Sequence, residues 1–269
     1  MVEGLVSVIM GIYNCSDTLS EAIESIIGQT YTNWELIMCD DASTDDTYQV
    51  ALRYQKKYPD KIKLIQNEVN SKLPYTLNHC LKYASGEFIA RMDADDKSTA
   101  DRFMVQVRYL REHSDVDLVG TAMQRFNEKG LGAIDEKPQY PDRFTLRKLI
   151  PFNHATIMTY KRVYDALGGY TVCERTVRGQ DYDLWFRFYH EGYRGDNLKE
   201  PLYMVREDEA AFKRRTIKVR WNGFKTACIG YKLLGYPKIW LIKPACDFVI
   251  KSLIPTRLMI YYHDLQKKG

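Results

Sequence analysis

The first hundred residues alternate between short apolar runs and stretches with a helical period. Val6–Ile12, VSVIMGI, is a continuous β-rich run of the kind found in strands covered on both faces. TLSEAIESIIGQT follows, with Leu19, Ile23, Ile26 and Ile27 on one helical face and Gly28 as a stop. WELIMCDDAS predicts a strand ending in Asp40 and Asp41. STDDTYQVALRYQKKY predicts a helix capped by Ser43 or Thr44. KIKLIQN predicts a strand, PYTLNHCLKYASG a helix from Pro74 to just before Gly86, and EFIARMD another strand. This β-α-β-α-β-α-β order predicts an α/β fold with a doubly wound, mostly parallel sheet and right-handed crossovers. Ligands of such sheets lie beyond the carboxyl ends of the strands. Tyr13-Asn14, Asp40-Asp41 and Asp93–Asp96 all fall there, so one rim gathers an aromatic, an amide and five carboxylates.

After Arg102 the rhythm changes. DRFMVQVRYLREH predicts a helix and VDLVGTAMQRF a strand. HATIMTYKRVYDALGGY predicts a strand and a short helix closed by Gly168-Gly169. QDYDLWFRFYHEG predicts a helix with Asp181 and Asp183 in its first turn, and PLYMVRED a last strand. From Ala211 onward the chain reads as helical, basic and aromatic. No internal repeat or low-complexity linker interrupts it.

Length and charge refine this picture. A chain of 269 residues fits one α/β domain with an appendage. The expected division is a domain over 1–209 and a basic amphipathic helical tail over 210–269. Within the domain, about 1–100 form a nucleotide half and about 101–209 an acceptor half. The net charge of +4 is unevenly spread: from Ala210 onward there are 13 Lys+Arg against 2 acids, so the preceding part is acidic. The six cysteines form no C-x-x-C pair and fit reduced, mostly buried thiols. MVEGLVSVIMGIYN lacks a basic n-region and reads as a strand rather than a signal peptide. No apolar run reaches the ~18 residues of a membrane span.

Candidate chemistry clusters on the rim. Hard oxygens grouped as in Asp93, Asp95 and Asp96 suit Mg²⁺ or Mn²⁺, which leave positions open for phosphate oxygens. The plain alternative is a solvated acidic turn before the helix at Asp101. The preceding strand and the acids Asp40-Asp41 favour a site. Asp41 suits a hydrogen bond to a base N–H, whereas Asp45 and Asp46 fit simple first-turn acids. Tyr13 is placed to stack on a planar base, or else is an ordinary surface aromatic. Asp181 opens a helix, where a carboxylate's pKa is ordinarily lowered; it serves as a general base only if burial raises it again. Trp34 and Trp185 read most simply as core, and His154 as a structural histidine. The tail leaves three readings open: a membrane-interface segment, a helical cap on the core, and a nucleic-acid surface without a visible groove-reading module.

These residues carry a resemblance. VSVIMGIYNCSDTLSEAIESIIGQTYTNWELIMCDDASTDDT resembles the opening of the family 2 inverting glycosyltransferases. TLNHCLKYASGEFIARMDADD with DRFMVQVRYL is similar to the family's centre. NHATIMTYKRVYDALGGY and GQDYDLWFR are similar to its acceptor-side segments, so the match covers about residues 5–206 in order. The resemblance implies a GT-A fold and transfer of a sugar from a nucleoside diphosphate donor with inversion. It implies that Tyr13 lies by the base, Asp41 bonds it, Asp93 faces the ribose side and Asp95 holds the metal on the diphosphate. Ile12, Lys72 and Arg91 join these donor-side positions, and Arg206 stands near where many members place a diphosphate-binding His. Asp181 matches the catalytic base. The usual Glu-Asp pair is Gln180-Asp181 here, and Lys72 stands where Gly is common. Asp96, His154, Gln180 and Trp185 are supporting or acceptor-side candidates.

The combined expectation is a cytoplasmic, Mn²⁺- or Mg²⁺-dependent enzyme, peripheral on the inner face of the cell membrane through its tail. It would use a UDP- or dTDP-type sugar and a saccharide acceptor, lipid-linked, in surface polysaccharide synthesis, with no nucleic acid involved. Two rivals are a sugar-phosphate nucleotidyltransferase and an inactive membrane-bound scaffold of the same fold. GIYNCSD lacks the Gly-rich, Arg-containing loop of the first, and the retained Asp93, Asp95 and Asp181 argue against the second.

Overall fold

The computed structural model describes residues 1–207 and 216–253. The basic segment beyond Leu253, with Pro255 and Arg257, lies outside the described residues. Four strands run parallel: β1 (Val2–Ile12), β2 (Trp34–Asp40), β3 (Ile62–Gln66) and β4 (Gly86–Arg91). They are joined by α1 (Ser16–Ile27), α2 (Thr47–Lys57) and α3 (Leu73–Leu81). The second half contributes β5 (Lys97–Ser98), α4 (Arg102–Glu112), β6 (Leu118–Asn127), β7 (Gly130–Asp135), β8 (Met158–Tyr160), α5 (Lys161–Leu167), α6 (Gln180–His190) and β9 (Gly195–Arg206). The helices α7 (Ile217–Leu233) and α8 (Ile242–Leu253) follow.

The sheet runs β3-β2-β1-β4-β8-β6-β9-β5, with β7 on β6. Beyond β4 it is mixed. β8 is antiparallel to both β4 and β6, β9 is parallel to β6, and β5 is antiparallel to β9. The parallel pattern therefore holds for the first four strands; beyond them β6 and β9 keep that direction, and β5, β7 and β8 run against it.

Burial explains the unbroken apolar runs. Val8 and Met10 of β1 enter one apolar cluster with Leu19, Ile23 and Phe103, while Ile9 enters another with Leu77 and Trp185. Both faces of β1 are thus covered, and each buried aliphatic contributes roughly 1.5–3 kcal/mol. Two expected boundaries move. The helix expected from Ser43 begins at Thr47, because Asn14 takes the Thr44 N–H at 2.8 Å and Ser43 Oγ accepts the Asn14 N–H at 3.0 Å. Those bonds spend residues 42–46 on a loop tied to the end of β1. The last strand begins at Gly195, earlier than PLYMVRED suggests, by pairing with β6.

One buried cation braces the acidic turn from behind. Arg102 is fully buried and donates to the Arg91 carbonyl at 2.9 Å, and to the Ala155 and Ile157 carbonyls at 3.4 Å. Its Nε donates to Gln106 at 3.0 Å, and burial lowers its pKa to about 10. It ties the end of β4 to the segment entering β8, which fixes where Asp93 begins.

The start of the tail packs on the domain. Ala227, Tyr231, Leu234 and Tyr236 join the cluster containing Phe186 and Trp185. Gly230 permits the close approach of α7 and α6, since a Cβ there would sit 2.2 Å from the Phe186 ring. Helix α8 has no buried residue and presents Ile242, Val249, Ile250 and Leu253 to solvent. Among the described residues no helix is long and apolar enough to cross a membrane.

Candidate active site

The carboxyl ends of β1, β2 and β4 open onto a cleft with two adjoining cavities of about 500 and 650 Å³, each lined in part by Gly11 and Tyr13. These volumes suit a nucleotide-sized ligand. The first cavity is walled by Ile12, Asp41, Asn70, Lys72 and, opposite, by Val177–Asp181. The second is walled by Asn14–Thr18, Asp45, Asp93–Asp95, Arg206 and Glu207.

Asp41 stands at the tip of β2, 4% exposed, and its N–H donates to the Ile12 carbonyl. Its Oδ1 accepts from Asn67 Nδ2 at 2.8 Å and from the Ser71 N–H at 2.7 Å, and its Oδ2 accepts from the Lys72 N–H at 2.9 Å. A carboxylate offers about four acceptor positions, so one remains for a donor arriving from the cavity. Both loop amides reach it because Lys72 adopts φ 71° and ψ 161°. That region is open essentially only to glycine and costs of order 1–3 kcal/mol for another residue. Lys72→Gly is expected to raise stability by about 1 kcal/mol, or ~2–4 °C in Tm, after the flexibility of glycine in the unfolded chain is subtracted. An unchanged or lowered Tm would show that the lysine side chain stabilises the loop as much as its backbone strains it.

The acidic turn divides its labour. Asp93 pairs with the buried Arg91 at 2.5 Å, and its N–H donates to the Tyr203 hydroxyl at 3.0 Å. Asp95 is exposed, and its carbonyl accepts from Arg206 Nε at 3.0 Å. Asp96 points inward. It accepts from the Tyr203 hydroxyl at 2.9 Å and from the Arg206 N–H at 2.8 Å, and burial, with Asp93 and Asp95 nearby, pushes its pKa up to about 8. Asp96 is therefore a buried brace between the turn and β9. Arg206 also pairs with Glu21 at 2.6 Å and lies 4.6 Å from the Phe126 ring centroid, which holds its guanidinium at the cavity wall.

Asp181 lies on the opposite wall. Gly179, at φ 94°, opens α6, and the next residues Gln180 and Asp181 face the first cavity. Burial raises the Asp181 carboxyl above its ordinary value, while its own and the Tyr182 backbone N–H, and the charge of Arg91, pull the other way. Its neighbour Asp183 is purely structural: it is buried, pairing with Arg175 at 2.6 Å and Arg187 at 2.9 Å and accepting from Thr171 at 2.6 Å. This network holds the 171–179 loop that brings Val177 and Arg178 to the cavity.

The cleft therefore brings together Ile12, Tyr13, Asp41, Lys72, Asp93, Asp95, Gln180, Asp181 and Arg206. Arg91, His154 and Trp185 stand behind it. Trp185 is fully buried, with Phe152 at 5.0 Å, and His154 Nε2 lies 2.8 Å from the Tyr170 hydroxyl. Burial, with Arg91 close by, keeps His154 well below its usual pKa and hence neutral. Sequence reasoning passed over Asn67, Ser71, Tyr203 and Glu21, which position the named residues. Asn67 alone had a signal, as the polar end of KIKLIQN; the others act across long sequence separations.

Sheet order and cleft position fit the GT-A fold that the resemblance implies. The model of Glycosyl transferase family 2 matches residues 7–168. The putative glycosyltransferase EpsE of Bacillus subtilis is 47% identical over 98% of this chain and 96% of its own length. The Escherichia coli protein WfgD, named a UDP-Glc:alpha-D-GlcNAc-diphosphoundecaprenol beta-1,3-glucosyltransferase, is 40% identical over 42% of this chain and 44% of its own. Among solved structures, S. aureus TarS 1–349 in complex with UDP superposes with TM-score 0.62 at 23% identity, over 81% of this chain. The chain spans 64% of that TarS chain. The mannosyltransferase PcManGT from Pyrobaculum calidifontis, in complex with GDP-Man and Mn2+, gives TM-score 0.65 at 18% identity, over 98% of this chain and 80% of that one. The chain belongs to glycosyltransferase family 2.

Proposed function

We propose that the protein is an inverting glycosyltransferase that moves a sugar from a UDP- or dTDP-type donor to a hydroxyl of a lipid-linked saccharide in surface polysaccharide synthesis. The observation that carries this reading is the single cleft with Asp41, Asp93 and Asp95 on one wall and Asp181 on the other. The donor side reads a base through Tyr13 and Asp41 and the diphosphate through the acidic turn and Arg206. Asp181, approaching from the other side, removes the proton of the acceptor hydroxyl as that oxygen attacks the far face of the anomeric carbon. One attack and one base give inversion, with no covalent nucleophile. The diphosphoundecaprenol acceptor in the name of WfgD supports a lipid-linked acceptor.

A divalent cation fits this cleft. Asp93 and Asp95 supply hard oxygens at the cavity, and among the described residues no three His, Cys, Asp or Glu side chains converge into a cage. Mn²⁺ and Mg²⁺ suit such sparse sets, since waters and substrate phosphates complete their shells. Asp95 would hold the ion, which when bound offsets charge on the departing diphosphate as a Lewis acid. The Mn2+ complex of PcManGT supports this assignment. We further place the domain boundary near residue 209 and the enzyme at the inner face of the cell membrane, held by α8 and the chain beyond it.

A thermal-shift screen of UDP-, dTDP- and GDP-sugars with and without Mn²⁺ tests the reading. A ligand at ~100 times its Kd adds about 2.7 kcal/mol, or roughly 5–10 °C. The expected result is a Mn²⁺-dependent shift with a uridine or thymidine sugar. No shift with any nucleotide sugar would refute the proposed activity.

A further inference from the structure

Helix α6 separates two cavities. Asp181 faces the donor cleft, and the next residue, Tyr182, faces a smaller cavity of about 220 Å³ on the other side. That cavity lies between the 146–150 segment and α8, and among the described residues its charged lining is Arg147, Lys148, Lys243, Lys251 and a single carboxylate, Asp247. Asp247 is already shared by Lys243 at 3.0 Å and Lys251 at 4.0 Å. The cavity is therefore strongly cationic. Arg147 is held by stacking on Trp240, 3.4 Å from the ring centroid. Leu146, Leu149, Ile150 and Pro244 supply apolar walls.

Helical spacing on α8 extends the pattern. Lys243, Asp247 and Lys251 recur every four residues and so share one face. Ile242, Val249 and Leu253 share an adjacent face, and all three are exposed. From the cleft outward, the molecule thus offers a general-base position, a phenol, a cationic cavity and an exposed apolar stripe. A saccharide joined through a diphosphate to a prenyl chain has matching parts in the same order.

Resting on the lipid-linked acceptor reading above, we propose that the cavity between the 146–150 segment and α8 binds the diphosphate of a prenyl diphosphate-linked acceptor, with Arg147, Lys148, Lys243 and Lys251 as its counter-charges. The sugar then has to round the first turn of α6, from Tyr182 to Asp181, and the prenyl chain leaves along the exposed side of α8. The cavity sets acceptor affinity, and it explains why the first helix of the tail is packed on the core: α7 fixes α8 at one distance from the catalytic wall.

The test uses the full chain and farnesyl diphosphate as the probe, with farnesol as the control lacking the anion. Binding is measured by calorimetry without divalent metal, so that only protein cations read the diphosphate. Wild type is expected to bind farnesyl diphosphate at least ten-fold more tightly than farnesol. Lys243→Ala/Lys251→Ala and, independently, the exposed Lys148→Glu are expected to bring the two affinities within about two-fold, with Tm unchanged. Equal affinities in wild type, or undiminished discrimination in both variants, overturns the proposal. Phosphatidylglycerol and phosphatidylcholine vesicles form the second arm. Variants that lose binding to anionic vesicles yet keep soluble discrimination make the cavity a bilayer headgroup contact, which also overturns it. Failure of the parent reading has its own signature: equal transfer to an alkyl glycoside and to a diphosphate-linked saccharide by wild type, whatever farnesyl diphosphate does.

Discussion

Asp181→Asn is expected to lower kcat by about 10²–10⁴-fold while leaving donor affinity unchanged, because a general base acts in the transition state and does not touch the nucleotide. The substitution keeps the side chain's shape at the second position of α6 and removes only its basicity. The pH profile adds a second readout. The active form of Asp181 is the carboxylate, and burial raises its pKa above the ordinary 3.8. Activity must therefore fall as pH drops through that raised pKa, so the acid limb of kcat/KM lies above the range of an exposed aspartate. In the Asn variant the residual rate should lose that limb. Wild-type turnover in the variant, or an unchanged acid limb, would remove Asp181 from the mechanism. Asp183 is the internal contrast. Its ion pairs with Arg175 and Arg187 mean that its loss costs loop order and stability first.

Much of this site was legible because parallel sheets impose a simple rule. Apolar runs of a few residues mark strands buried on both faces, and their carboxyl ends converge. Tyr13, Asp41 and Asp93 could be placed on one rim from that alone. Asp181 could not. It reaches the cleft through a left-handed turn at Gly179 and the loop held by Asp183, Arg175 and Arg187, and only the resemblance to a known family singled it out. The strain at Lys72 was equally hidden, since a lysine in a loop carries no mark of its φ. Asp96 looked like its neighbours Asp93 and Asp95, but its direction depends on Tyr203 and Arg206, more than a hundred residues away. The short β5 and the exposed hairpin strand β7 escaped for a different reason. Lys97-Ser98 is too brief to show a period, and GLGAID lies exposed with no alternation of buried positions. The tail was ambiguous because its two helices, both basic and aromatic, differ in burial: α7 seats Ala227, Gly230 and Tyr231 on the domain, whereas α8 touches α7 through Phe248 and buries no residue.

Asp95→Ala is expected to abolish the metal-dependent part of nucleotide-sugar binding, raising Kd in Mn²⁺ to the value seen in EDTA, a loss of ~100-fold or more. The reasoning rests on position. Asp95 is the exposed carboxylate of the acidic turn and lines the cavity, Asp93 is half-buried there, and Asp96 is buried under Tyr203 and Arg206. Removing an exposed side chain leaves the fold intact, so Tm without ligand should change by little. Asp96→Ala makes the opposite prediction. It strands the Arg206 N–H and the Tyr203 hydroxyl, at about 1–3 kcal/mol for each unsatisfied buried group, and should lower Tm before any ligand is added. Calorimetric titration of the donor with and without Mn²⁺, beside thermal melts of the apo variants, separates the two carboxylates. Normal Mn²⁺-dependent binding in Asp95→Ala would move the metal to Asp93, which would then have to exchange its bond to Arg91 for the ion whenever the donor arrives.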